Sequence, residues 1–257
     1  MARKLDRVSP LLRAFALLER IAESESPLAL TDATAGSGLP KATAHRIVAS
    51  LEEAGLLIRE PGGRRFGPGP RLTRLALDVL RQGAARGPRR AILQRLVDVV
   101  GETVNLTAMD AGEIVYLDRV ESPWPLRIAL QAGSRVPLHC SASGKLLLAL
   151  SPASRRKQIV DALPLTRYTG NTVADRRTLT RELARIRRAR IATDDEEFIA
   201  GLVCVAVPIA LASGRVVASI AVQAPAARMS MAAALGHVPA LRAAADALAA
   251  TIDAEAA

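Results

Sequence analysis

The chain of 257 residues has almost no aromatic side chains: three Phe, two Tyr and one Trp, 2% of the total. Half of it is nonetheless hydrophobic, which argues against overall disorder and leaves Ala, Leu, Val and Ile to build the cores. Cysteine is just as scarce. Cys140 and Cys204 do not make a disulfide scaffold, so both are expected as thiols in the cytoplasm. No apolar run approaches the ~20 residues of a membrane span, so no membrane partner is expected. The basic N-terminus lacks a long apolar stretch and a small-residue cleavage site, and does not read as a secretory signal. A phosphate loop, a dinucleotide fingerprint, a nucleophile elbow and a metal-spaced His pair are all missing. No cofactor and no metal are expected.

Scattered reactive residues remain. His139 and Cys140 are adjacent, and Asp194, Asp195, Glu196 and Glu197 form an acidic run. A Cys/His/Asp nucleophile set needs its members on one face, whereas adjacent strand residues point to opposite faces. The spacing of His139, Asp194 and Cys204 gives no support to a metal site. The acidic run reads as a solvated loop, and the basic run from Arg185 to Arg190 as an exposed helix face.

What the chain does have is positive charge, +10 in all. Residues 1–90 hold 16 Lys/Arg against 9 Asp/Glu, and residues 91–257 hold 19 against 16, so most of the excess sits in the first third. Such an excess draws a protein to phosphate without regard to base sequence.

That first third also carries an ordered pattern. In "GLPKATAHRIVASLEEAGLL", residues 38–57, Ala44, Ile47, Val48 and Leu51 make the buried stripe of a helix. Pro40 suits its first turn and Gly55 the left-handed position that ends it. Lys41, Ala42, Thr43, His45 and Arg46 lie off that stripe, small or hydrogen-bonding, while the acids Glu52 and Glu53 come only at the far end. This is the face a helix puts into a major groove. Upstream, Ser9 caps a helix with Pro10 at its first position, and Leu11, Ala14, Phe15, Leu18, Ile21 and Ala22 form its apolar stripe. Thr31 is the expected cap of a short second helix, stopped by Gly36 and Gly38. Downstream, two short strands flank Pro61-Gly62-Gly63 and carry Arg64 and Arg65. Three helices followed by a basic hairpin predict a winged helix-turn-helix over residues 1–70, with double-stranded DNA as partner.

Residues 71–90 read as a linker helix on Leu72, Leu75, Ala76, Val79 and Leu80, broken by Gly83, Gly87 and Pro88. Its apolar stripe needs a cover and points to a dimer. From residue 91 helices and strands alternate. Strands are expected at 103–110 and 113–122 about an Asp110-Ala111-Gly112 turn, at 125–130, and as an apolar pair about Ser213-Gly214. Helices are expected after the polar turn at residue 141, over 151–163 and 175–190, and as one closing helix from residue 231. The fold class is therefore α+β, a winged helix-turn-helix and a linker helix before an α/β sensor domain of GAF-like form.

These ordered segments resemble the IclR family of bacterial transcriptional regulators. The resemblance rests on "LTDATAGSGLPKATAHRIVASLEEAGLL", "RRFGPGPRL", "GETVNL", "EIVYLDRVES", "AGSRVPLHCSASGKLLLA", "DDEEFIAGLVCVAVPI" and "VASIAVQAP", and covers nearly the whole chain. It implies a recognition helix over Pro40–Glu53 and a dimer or tetramer on a near-palindromic operator. It also implies an effector pocket in the C-terminal domain. That pocket maps onto Cys140, Ser141, Ala142, Ser143 and Gly144, then Asp194, Cys204, Ala221 and Gln223. Four positions depart from the pattern. Ala42 stands where members often have serine, and Pro68 where the wing usually has an aliphatic residue. Ala221 and Gln223 replace the serines of members that bind small oxo-acids, so a glyoxylate or pyruvate ligand does not carry over. A larger organic acid or aromatic metabolite fits the expectation better. The expected function is a ligand-responsive regulator, more often repressor than activator. The alternatives are a constitutive DNA-binding protein with a purely dimerising C-terminal domain and an enzyme of the α/β portion.

Overall fold

The computed structural model describes residues 9–24, 26–35, 39–60, 63–82, 86–110, 112–125, 130–131 and 133–256. The chain divides into two compact units, Met1–Val79 and Leu80–Ala257.

The first unit begins with α1 (Pro10–Glu23), whose Ser9 Oγ accepts from Leu11 N at 3.2 Å, the expected cap. Its buried stripe differs from the expected one. Leu17, Leu18 and Ile21 enter the core, while Leu11, Phe15 and Ala22 are exposed. The helix is apolar over more than one face, so spacing alone admits two registers, and the partner surface selects between them. Next come β1 (Leu28–Ala29) and α2 (Leu30–Ala33). Thr31 is not the cap of α2. That place belongs to Ala29, which has no side-chain cap bond, because β1 runs straight into the helix. The expected turn glycines Gly36 and Gly38 lie outside the described residues.

The longer helix α3 (Lys41–Glu53) buries Ala44, Val48 and Leu51, with Ile47 half-buried. Gly55 follows with φ +70°, the left-handed stop expected of it. Then β2 (Leu57–Arg59) and β3 (Arg65–Pro68) pair antiparallel, and β1 adds to the far side of β3. Pro61 and Gly62 of the wing turn lie outside the described residues. Helix α4 (Pro70–Gln82) leads onward.

The second unit opens with α5 (Arg86–Val100). Gly87 and Pro88 do not end the linker helix. They sit in the first turn of α5, where proline loses no hydrogen bond. A six-stranded antiparallel sheet follows: β4 (Thr103–Asp110), β5 (Glu113–Val120), β6 (Arg135–Pro137), β7 (Ala192–Asp195), β8 (Leu202–Ala210) and β9 (Val216–Pro225), in the order β6-β5-β4-β9-β8-β7. The apolar pair β8 and β9 is internal, as two-sided burial requires. Most of the expected strand at 125–130 lies outside the described residues.

Successive residues of β8 and β9 serve opposite faces. Cys204, Ala206 and Ala221 join α6 (Ala142–Leu150) and α8 (Arg176–Ala189) in one core, completed by Val160 of α7 (Ala153–Ala162). Val203, Val205, Val207, Ile220 and Val222 alternate with them and are fully buried. Their face is that of α5 and α10 (Val238–Ala256), which buries Leu241 and Leu248. Each buried Val, Leu or Ile side chain contributes ~1.5–3 kcal/mol, so a core with few aromatic rings suffices by number. The closing helix is two: α9 (Met231–Gly236) stops at His237, and Pro239 enters the first turn of α10.

Candidate functional site

On the first unit, Lys41, Ala42, His45 and Arg46 are exposed and Thr43 is half-buried. Among the described residues no side chain caps the start of α3, which leaves its first N–H groups and positive dipole end to an anion. Arg64 and Arg65 are exposed beside the wing turn. Glu52 and Arg59 tie wing to helix in a two-point ion pair, Nε–Oε1 3.1 Å and Nη2–Oε2 2.8 Å. Arg59 also lies 4.6 Å above the Phe66 ring. Glu52, one of the two acids at the far end of α3, is thus held by the wing. Arg20 of α1 donates to Ala35 O at 2.6 Å, holding the end of the α2 segment.

On the second unit, strand register puts the expected pocket residues in line. Asp194 of β7 pairs with Cys204 of β8, and Cys204 pairs with Gln223 of β9. Ala221 lies two residues along the same face, and all four are buried. Asp194 Oδ1 accepts from Glu197 N at 2.7 Å and from Phe198 N at 3.4 Å. Glu196 makes that approach possible by adopting a left-handed φ of 58°. Burial pushes the Asp194 carboxyl up to about 7, with the nearby Glu197 carboxylate adding to the effect.

The Cys140–Gly144 segment is brought close to this row but is largely structural. Ser141 caps α6, its Oγ accepting from Gly144 N and donating to Pro137 O. A Cβ on Gly144 would stand 2.5 Å from Leu138 O, so only glycine allows the turn to close there. Ala142 and Ser143 are buried in the first turn of α6. Cys140 is sealed, and burial with nearby Asp194 and Glu197 pushes its thiol up to about 12. A thiol so disfavoured as thiolate is not a nucleophile.

His139 and Cys140 lie on a turn after β6, not within a strand. His139 Nε2 is 2.9 Å from Thr166 O. Among the described residues no group of three or more His, Cys, Asp and Glu is placed to hold a metal ion. The acidic run is not a solvated loop. Asp194 and Glu197 are buried, and Glu197 pairs with Lys145 of α6, itself 1% exposed. Pairing explains the burial, since an unpartnered charge would not stay there. The Arg187, Arg188 and Arg190 side of α8 is exposed as expected.

Sequence reasoning missed the groups that complete the row. Gln223 Oε1 accepts from Asn105 Nδ2 at 2.8 Å and from Tyr116 Oη at 3.5 Å. Asn105 Oδ1 accepts from Arg119 Nη1 at 2.9 Å. The signal was present in "TVNLT", where Thr103, Asn105 and Thr107 alternate with apolar residues and so share a face. A polar surface cavity of about 470 Å³ lies apart, between Lys145, Asn171, Glu182 and Asp195, and none of the expected pocket residues lines it.

Residues 10–61 match the IclR helix-turn-helix domain, and residues 83–250 match the bacterial transcriptional regulator IclR C-terminal domain. The chain belongs to the IclR family. It is 46% identical over 235 residues to the "Probable transcriptional regulator SauR" of Cupriavidus necator, covering 91% of this chain and 93% of that protein. The crystal structure of Thermotoga maritima IclR superposes with TM-score 0.63 at 29% identity, over 94% of this chain and 97% of that one. An IclR homolog from Microbacterium hydrocarbonoxydans, complexed with 4-hydroxybenzoate, gives TM-score 0.60 at 28% identity over 96% and 100% of the two chains. The protein is thus an IclR-family DNA-binding transcriptional regulator, in a family of regulators rather than enzymes. No helix among the described residues is long and apolar enough to cross a membrane.

Proposed function

We propose that this IclR-family chain is a cytoplasmic repressor, a dimer or tetramer on a near-palindromic operator, released or retained by a small metabolite bound in its C-terminal unit. Lys41, Ala42, Thr43, His45 and Arg46 enter the major groove, and Arg64 and Arg65 hold the phosphate backbone. The effector contacts Asp194, Cys204, Ala221 and Gln223, beside the turn from Cys140 to Gly144. The observation that carries this reading is the cross-strand row of Asp194, Cys204 and Gln223, a line of buried polar side chains on one face of the sheet. Buried polar groups need partners, and a line of them facing one way is suited to a ligand of mixed polarity. The relative bound to 4-hydroxybenzoate supports an aromatic or organic acid as the class.

The experiment has two stages. DNA selected from a random pool by the purified full-length protein should carry two inverted half-sites about one helical turn apart. Gel-shift titration on that operator with 4-hydroxybenzoate and a panel of small organic acids should then reveal a compound that changes affinity. Gln223→Leu, verified as folded by circular dichroism, should still bind operator but lose or alter that response. A ligand acts only through its differential affinity for the two states of the regulator. An unaltered response in the variant would remove Gln223 from the pocket. No response to any compound would favour a constitutive DNA-binding protein.

A further inference from the structure

Arginine can only donate hydrogen bonds. Arg119 sits beside Asn105 across the β4–β5 ladder, its side chain 4% exposed, and donates from Nη1 to Asn105 Oδ1. That contact fixes the Asn105 amide: its oxygen faces Arg119, so its Nδ2 faces Gln223. Asn105 Nδ2 then donates to Gln223 Oε1, and Tyr116 Oη donates to the same oxygen. The Gln223 amide is fixed in turn. Its oxygen is committed to β4 and β5, and its Nε2 is turned away from them. Among the described residues Nε2 meets no acceptor.

We propose that Arg119 and Asn105 are positioning residues that set the polarity of Gln223, so that the site takes an organic oxyanion whose oxygen accepts from Gln223 Nε2. This rests on the effector reading of the Asp194–Cys204–Gln223 row. The chain of donors runs one way, from a residue that cannot reverse to an amide that otherwise could. A free glutamine presents donor or acceptor equally well and discriminates poorly. A locked one rejects a ligand group that offers only N–H at that point, because two donors would then face each other. Arg119 also supplies buried positive charge on the same face, with the Glu121 carboxylate 3.5 Å from its Nε.

The test uses full-length protein and matched probes: 4-hydroxybenzoate against 4-hydroxybenzamide, acetate against acetamide, and methanesulfonate against methanesulfonamide. Binding is read from the shift in melting temperature on titration. The wild type should bind the acid of at least one pair about tenfold or more tightly than its amide, the discrimination a single charge-assisted hydrogen bond supplies. Asn105→Asp keeps the Arg119 contact but offers only acceptors, so Gln223 must turn its Nε2 inward and present its oxygen to the ligand. The preference should then fall to parity or reverse toward the amide. Arg119→Lys, still donor-only, should preserve the acid preference, and Arg119→Met should weaken it. These two decide the matter if Asn105→Asp does not fold. An unchanged acid preference in Asn105→Asp, or in Arg119→Met, overturns the relay. Equal binding of acid and amide by the wild type also overturns it while leaving the pocket standing. Failure of every probe to bind the wild type counts against the pocket itself, and the relay falls with it.

Discussion

Two side chains separate reading DNA from sensing. Arg46 is exposed on α3, away from the buried Ala44, Val48 and Leu51. Arg46→Ala should cost ~1–3 kcal/mol of operator affinity if the guanidinium makes a two-point base contact, with melting temperature unchanged. Equal gel-shift midpoints for variant and wild type would take Arg46 out of the groove. Asp194 behaves differently because it is buried. Its carboxyl is raised from an ordinary 3.8 to about 7, so the folded state holds the proton more tightly than the unfolded chain. The penalty for ionising it is absent below the ordinary value and complete above the raised one. Stability at this residue therefore falls as pH climbs through that interval. Asp194→Asn keeps an oxygen for Glu197 N and Phe198 N, and removes the penalty. Melting temperatures of the two proteins should converge at low pH, and the variant should gain on the order of 2–4 kcal/mol by pH ~7.5. Parallel curves across that range would show that Asp194 is already ionised or exposed.

At the scale of elements, the wing and the sheet illustrate two ways in which a strand is fixed. The wing strands β2 and β3 are short, and the Glu52–Arg59 pair and the Arg59–Phe66 stacking orient them on α3. Arg64 and Arg65 are exposed beside the wing turn, a placement suited to phosphate. Changing both to Ala should weaken binding to operator and unrelated DNA about equally, and lower the salt slope by nearly two phosphate contacts. A loss confined to one base position would make them readers of sequence instead. In the large sheet, register does the work. Asp194, Cys204 and Gln223 meet because three strands pair in step, and a one-residue slip of β8 would turn Cys204 to the other face.

At the scale of the whole molecule, the linker helix carries an exposed apolar face. Leu75 and Val79 of α4 are 53% and 59% exposed and lie four residues apart, on one face. The proposed cover is a second copy of the chain, which would also match the two-fold symmetry of the proposed operator. Leu75→Glu with Val79→Glu should shift the full-length protein toward monomer in sedimentation velocity and weaken operator binding, while circular dichroism stays unchanged. Retention of the oligomer with both charges in place would assign the subunit contact to another surface.

The sequence alone determined the family, the helices and wing strands of the first unit and the polar face of α3, since each rests on local information: helical period, caps, glycine and charge. Ser9, Gly55, Ala44, Val48 and Leu51 could be read because a cap or a turn of helix needs only near neighbours. The Asp194–Cys204–Gln223 row was foreseen through resemblance, but its setting was not. Gln223 and Asn105 are 118 residues apart in the chain, and only the β4–β9 pairing brings them together. The same holds for the buried acidic turn, which looked solvated until Lys145 of a distant helix met Glu197. Which face of α1 is buried was likewise left to the partner surface. Local sequence fixes what an element is, whereas burial and hydrogen-bond direction depend on what lies opposite, and that is decided only when strands far apart in sequence come into register.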